Sequence, residues 1–251
     1  MGYTKAERIV LPIAFVSMCL IALLLRTLLL KKSEKVKKIP FLVVTSLMVL
    51  GELVKQIRGM IIGYDLWWIP LHFCSTFFVW FSLAEFTKGE FAKRMKSVAF
   101  LTTLCLFVAM YLSPRSILGN ACENIFSSFS SAHSFFFHQL AIFYMLLSLA
   151  LNRVNLQKKD AYYWITCMSA YFTIAVISAY ALNTNYFSLL YFPLSFLDSF
   201  RVAYGQIPYN LLQACVLIFA PLSVVFFLGK IKRIFAVSVQ IDRLQVNEKE
   251  N

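Results

Sequence analysis

The run WWIPLHFCSTFF, residues 67–78, sets His72 and Cys74 two positions apart in otherwise apolar sequence. The chain has three histidines, His72, His133 and His138, and all lie in strongly apolar stretches, as do Glu52, Lys55 and Gln56. A free thiol, with a pKa near ~8.5, is mostly protonated at neutral pH. It becomes a useful nucleophile when a neighbouring base takes its proton, and histidine is the usual base. Cys74 and His138 supply such a pair. The thiolate would attack the ester carbonyl of a membrane lipid, form an acyl-thioester, and pass the acyl group to a lipid hydroxyl or to water. His133 is the alternative proton carrier, and His72 would orient a neighbour or polarise the carbonyl.

These groups must be positioned by membrane-spanning helices. With 60% hydrophobic and 14% charged residues over 251 positions, and a mean hydropathy of +0.71, the chain carries more apolar side chain than one soluble core could hide. The expected class is all-α, a polytopic transmembrane bundle. Apolar stretches near 9–30, 39–61, 64–86, 97–113, 126–151, 161–182 and 209–229 give about seven helices of roughly 20 residues, the length that crosses a hydrocarbon core of ~30 Å. The alternating pattern of an outer-membrane barrel is missing.

The first stretch is too long for a secretory signal core and is followed by Lys31, Lys32, Lys35, Lys37 and Lys38, so it reads as a retained helix. The net charge of +12 is concentrated in that loop, in the loop holding Lys88, Lys93, Arg94 and Lys96, in the one holding Arg153, Lys158 and Lys159, and in the C-terminal tail. Alternating loops this basic are a topology signal, giving the N-terminus outside and the C-terminus in the cytoplasm. They argue against nucleic acid as a partner; contact with anionic lipid is a secondary role. A single helical domain is expected over 1–240, followed by a short tail over 241–251. The oligomeric state is left open. The six cysteines show no C-x-x-C pair, and five lie in expected spans, which argues against a disulfide framework.

Depth and facing connect these elements to the chemistry. At ~1.5 Å per residue from the outer end of each span, Cys74, His138, Glu52 and His133 lie roughly 15, 18, 14 and 10 Å deep, a common level on three helices. Ser127, Ser131, Ser134 and His138 recur at steps of four, three and four, one polar stripe that turns His138 inward, whereas His133 is set about 140° away among phenylalanines. Glu52, Lys55, Gln56 and Gly59 share a face of the second helix, where Glu52 and Lys55 can neutralise each other. Glu52, Lys55 and Ser134 are therefore candidates for lining a substrate cavity. Within a regular third helix Cys74 and His72 diverge by about 200°, a conflict that Pro70 could relieve.

Plainer readings compete. A cysteine in a membrane helix is most often a small packing residue, an intramembrane histidine most often bonds a neighbouring helix, and a serine stripe can be a close-packing face. Glu, Lys and His in a bundle are also the parts of a proton relay, so a proton-coupled transporter or a non-enzymatic membrane protein is the alternative function. His133 with His138 and His72 with Cys74 have spacings that diverge on helices, so no metal is expected, nor any other cofactor.

The residues also resemble a family. IPLHFC is similar to the LPLHLC-type signature of the YwaF-like bacterial integral membrane proteins, and FFFHQL resembles the phenylalanine-rich stretch with a histidine that the family carries two spans later. Gly51-Glu52, Asn185-Tyr186, Phe196-Leu197-Asp198 and GQIPYN (205–210) look like its other landmarks, although the last lacks the family's usual tryptophan. That family is grouped with a eukaryotic acyltransferase that moves acyl chains between phospholipids without acyl-CoA through an essential cysteine and histidine. The resemblance implies Cys74 as nucleophile, His133 or His138 as its partner, Asn185 and Asp198 as substrate-binding residues, and membrane phospholipids as partners.

Overall fold

The computed structural model describes residues 3–192, 195–223 and 226–227, which are helical with no strand among them. The expected tail, 241–251, lies outside the described residues. Among the described residues five helices are long and apolar enough to span a membrane: α1 (Lys5–Leu29), α2 (Glu34–Ile62), α4 (Gly89–Leu112), α6 (Phe129–Ala150) and α7 (Lys158–Ala181); the last expected span, 209–229, lies partly outside the described residues. To these are added α3 (Phe77–Phe86), the short α5 (Pro114–Leu118), α8 (Ser195–Tyr204) and α9, helical over 206–223. The chain is a polytopic α-helical membrane protein.

Local sequence explains the helix starts. α1 opens with a capping box, in which Thr4 Oγ1 accepts from the Glu7 amide at 3.2 Å and Glu7 Oε2 accepts from the Thr4 amide at 2.7 Å. Ser128 caps α6 through the Ser131 amide at 3.1 Å. Ser127 therefore lies before the helix, bonded to the Asn124 carbonyl, and the expected four-residue serine–histidine stripe begins only at Ser131. Outward faces are apolar, as at Ile13, Leu20 and Leu24 of α1 and Ile57 and Ile61 of α2, all exposed, which suits a surface meeting acyl chains. The core between α2, α3 and α6 is aromatic, with Phe81 stacked on Tyr144 at 4.0 Å and Phe41 edge-on to Tyr144 at 5.2 Å.

The third expected span is not one helix. Beyond Gly63, which takes φ +102°, the chain makes a 3-10 turn at Leu66–Trp68, an irregular stretch through Phe73, and a second 3-10 turn at Cys74–Thr76 that runs into α3. Pro70 is the physical reason. The residue before a proline is held out of the helical region, and Ile69 is extended at φ −56°, ψ 133°. The facing conflict between His72 and Cys74 was an artefact of assuming a regular helix there.

Irregular backbone at membrane depth needs its polar groups satisfied by neighbouring protein. Three carbonyls of this segment are met from three different elements. Tyr186 Oη donates to the Leu66 carbonyl at 2.5 Å, Gln56 Nε2 of α2 to Trp68 at 2.7 Å, and Tyr171 Oη of α7 to Leu71 at 3.0 Å. Gly59 lets the Trp68 ring lie flat on α2, since a Cβ there would stand 2.6 Å from a ring carbon.

The connection after α7 folds back on this segment. Phe187, at φ +51°, packs against Phe73, Tyr171 and Phe172. From α9, Gln206 reaches the Leu189 carbonyl at 2.6 Å, while Tyr209 reaches the Ser188 carbonyl at 2.5 Å and Gln213 the same atom at 3.2 Å. The three basic loops meet at the other end of the bundle, where Arg26 bonds the Ala150 carbonyl at 2.5 Å, Arg94 pairs with Asp160 at 2.9 Å and Arg153 with Glu85 at 3.3 Å.

Candidate active site

Cys74 is partly buried at the first position of the 3-10 turn, Cys74–Thr76, that runs into α3. Helix N-termini present unpaired amides and favour anionic groups, which suits a thiolate. His138 comes from α6, a different element, and is 4% exposed. Each side chain is the other's strongest ionisable neighbour.

The protonation of His138 follows from its hydrogen bond. Its Nδ1 lies 2.6 Å from the Ser134 carbonyl, one turn earlier in α6. A carbonyl only accepts, so the ring proton sits on Nδ1 and the lone pair is left on Nε2. Nε2 is buried and makes no hydrogen bond of regular geometry. The thiol and the imidazole are neighbours, and in free-state catalytic pairs the bond between them is often long or poorly aligned. Ser134 takes part through its backbone carbonyl.

His133 occupies another face of α6, stacked between Phe129 at 5.8 Å and Phe137 at 5.2 Å. It also leans on α2, where a Cβ at Gly51 would meet its Cδ2 and Nε2 at 3.9 Å. His72 sits between Trp67, 4.0 Å away, and Tyr186, at 5.4 Å. The Nε2 atoms of both rings are buried without a hydrogen-bond partner. On α2, Lys55 Nζ pairs with Glu52 Oε1 at 2.7 Å, the same oxygen accepts from Gln56 at 2.6 Å, and Glu52 Oε2 is buried and unpartnered. Four polar atoms, from Glu52, His72, His133 and His138, are therefore left unsatisfied in one region. Native proteins seldom tolerate this away from a site that a ligand completes.

Asn185 and Asp198 have local partners. Asn185 is buried and folds its own loop, with Oδ1 accepting from the Leu190 and Tyr191 amides at 2.8 and 3.2 Å and Nδ2 donating to the Tyr191 carbonyl. Asp198 accepts from the Phe192 amide at 3.3 Å and pairs with Arg201 at 2.7 Å, and that guanidinium holds its carboxyl below the usual range. Neither is brought to Cys74 by any of these contacts. Among the described residues, no three His, Cys, Asp or Glu side chains converge as metal ligands.

Sequence reasoning missed Tyr171 and Tyr186, whose hydroxyls hold the segment carrying His72 and Cys74. The available signal was that a proline-broken apolar stretch needs outside donors for its carbonyls, and a tyrosine supplies one from an otherwise apolar helix.

Long apolar helices packed around a proline-broken apolar segment define a polytopic α-helical membrane protein. A family model described as the TMEM164 family matches residues 3–228, and the chain belongs to that family of transmembrane proteins. No curated protein and no solved structure matches it.

Proposed function

We propose that the protein is a cysteine-dependent acyltransferase, or a lipid hydrolase, acting on phospholipid acyl chains in a bacterial cytoplasmic membrane. The observation that carries this reading is the Cys74–His138 pair, with His138 Nε2 left as the base by the bond from Nδ1 to the Ser134 carbonyl. The resemblance of IPLHFC to the YwaF-type signature points the same way.

In the first half-reaction His138 Nε2 takes the Cys74 proton as sulfur adds to the ester carbonyl, whose π electrons move to oxygen. Collapse of the oxyanion breaks the ester C–O bond. The departing alkoxide takes the proton back from His138, leaving an acyl-thioester on Cys74 and a lysolipid. In the second half-reaction a lipid hydroxyl or water gives its proton to His138 and adds to the thioester, and the C–S bond breaks. The thiolate is then reprotonated by His138.

Acyl exchange between defined phospholipids in proteoliposomes tests this reading. Cys74→Ala and His138→Ala should each abolish exchange while the protein still inserts and folds; full activity in Cys74→Ala would overturn it. A proton-coupled carrier is the rival, favoured by one observation, the unpartnered Oε2 of Glu52 beside Lys55. It predicts proton flux that fails on Glu52 substitution and survives loss of Cys74.

A further inference from the structure

The acyl-transfer scheme assigns work to Cys74 and His138 but leaves an intramembrane lysine unexplained. Lys55 has only 17% of its side chain exposed, and a buried ammonium is costly unless it is paired or used. Its helix face points at the site. One turn before it, Gly51 lies against His133; one turn after it, Gly59 lies under the Trp68 ring; the adjacent Gln56 bonds the Trp68 carbonyl. The face of α2 that carries Lys55 thus lies against α6 and the segment that carries Cys74, and Glu52 holds the ammonium on that face. It is close enough to act electrostatically on Cys74, His72 and His133.

Glu52 determines how much of that charge the site feels. Its Oε1 holds Nζ at 2.7 Å and is itself held by Gln56 at 2.6 Å, a clamp that fixes the ammonium while partly neutralising it. Resting on the acyl-transfer reading of this site, we propose that Lys55, clamped by Glu52, supplies the positive charge that stabilises the Cys74 thiolate and the oxyanion formed on the acyl carbonyl. Lys55 acts through space as an electrostatic and positioning residue, and His138 remains the proton carrier. No covalent step is added. When sulfur adds to the carbonyl, negative charge passes from sulfur to oxygen within the reach of one fixed cation.

The groups facing this region are Glu52 and Lys55 on α2, Arg58 one turn on and turned over the Phe129 ring, Tyr64 beyond the helix end, His72 on the broken segment, His133 and His138 on α6 and Tyr171 on α7. Among them Lys55 and Glu52 are the paired opposite charges, so removing each should act with opposite sign. The test is alkylation of the full-length protein in proteoliposomes with iodoacetamide across a pH series. The modified fraction of the peptide containing Cys74 is followed by mass spectrometry. Lys55→Gln should raise the pH of half-maximal alkylation by about one unit, a tenfold loss of thiolate at fixed pH. Glu52→Gln, which keeps an amide for Gln56, should lower it, and Lys55→Arg should restore the wild-type value.

Midpoints that stay put, or move the same way in both neutral variants, would overturn the proposal. The readout needs no lipid substrate, so the two claims fail separately. Opposed midpoint shifts without any acyl transfer would sink the enzyme reading and keep the electrostatic one. Unmoved midpoints with transfer that still requires Cys74 would do the reverse.

Discussion

The bundle has two polar regions, and they are built on opposite rules. At the end where the basic loops meet, buried charges are almost fully engaged. Glu85 takes the Tyr144 hydroxyl at 2.8 Å and Arg153 at 3.3 Å, Arg153 lies over the Phe41 ring at 4.2 Å, and Arg94 joins Asp160, Gln157 and Glu90. Only Arg94 Nε and Arg153 Nη1 are left over. Before the start of α3, the Cys74 region leaves one polar atom without a hydrogen-bond partner on each of Glu52, His72, His133 and His138. A satisfied network fixes helices against one another; an unsatisfied one holds groups ready for a ligand. Burial alone does not separate the two, because Glu85, Glu52 and His138 are all buried.

The contrast can be broken by substitution. The largest effect should be His138→Gln, which lowers acyl exchange by about 10²–10⁴-fold, the usual worth of a general base. Its stability should stay within ~2 kcal/mol of wild type, because the hydrogen bond lost is the one from Nδ1 to the Ser134 carbonyl. Glu85→Ala should behave in the opposite way. It leaves Arg153 and Tyr144 without their buried acceptor and should cost ~3–5 kcal/mol in denaturation from detergent, with specific activity per folded molecule preserved. A Glu85→Ala protein of normal stability would erase the distinction between the two ends.

Gly59→Ala probes the coupling between α2 and the broken segment. A methyl group 2.6 Å from the Trp68 ring must displace it, and a shift of ~1 Å in Cys74 should lower exchange by roughly 10²-fold. Tyr171→Phe frees the Leu71 carbonyl and should cost ~1–3 kcal/mol, with a smaller fall in activity. The smallest effect concerns Cys122, whose thiol burial pushes up to about 11, assisted by Glu7 and Glu123. Because the thiolate is the reactive form, Cys122 should resist iodoacetamide from pH 7 to 9 and gain reactivity only above that, and Cys122→Ser should leave exchange unchanged.

Much of this was legible in the letters. Apolar runs located the five long helices, although α2 and α4 begin five and eight residues before the expected starts because their first turns are charged, and helical periodicity put Glu52, Lys55 and Gln56 on one face, where they do interact. The depth count for Cys74 assumed a regular helix through residues 64–86, which the break after Gly63 removes. The break in the third span was written only as Pro70 and Gly63, and a window of apolar residues reads straight through both. Partners across helices were not legible, because Tyr171 with Leu71 or Glu85 with Arg153 depends on how helices rotate against each other. Asn185 illustrates the converse. A polar residue in an aromatic loop suggests substrate contact, but its side chain is occupied with the amides of its own turn.

The most direct test of the account is a search for the covalent intermediate. Proteoliposomes carrying the full-length protein are given a phospholipid labelled in one acyl chain, quenched with acid, and the protein analysed by mass spectrometry. The account predicts the acyl group on Cys74, released by neutral hydroxylamine and missing from Cys74→Ala. Undiminished acyl exchange with no adduct at Cys74, or with the label on another residue, would contradict it.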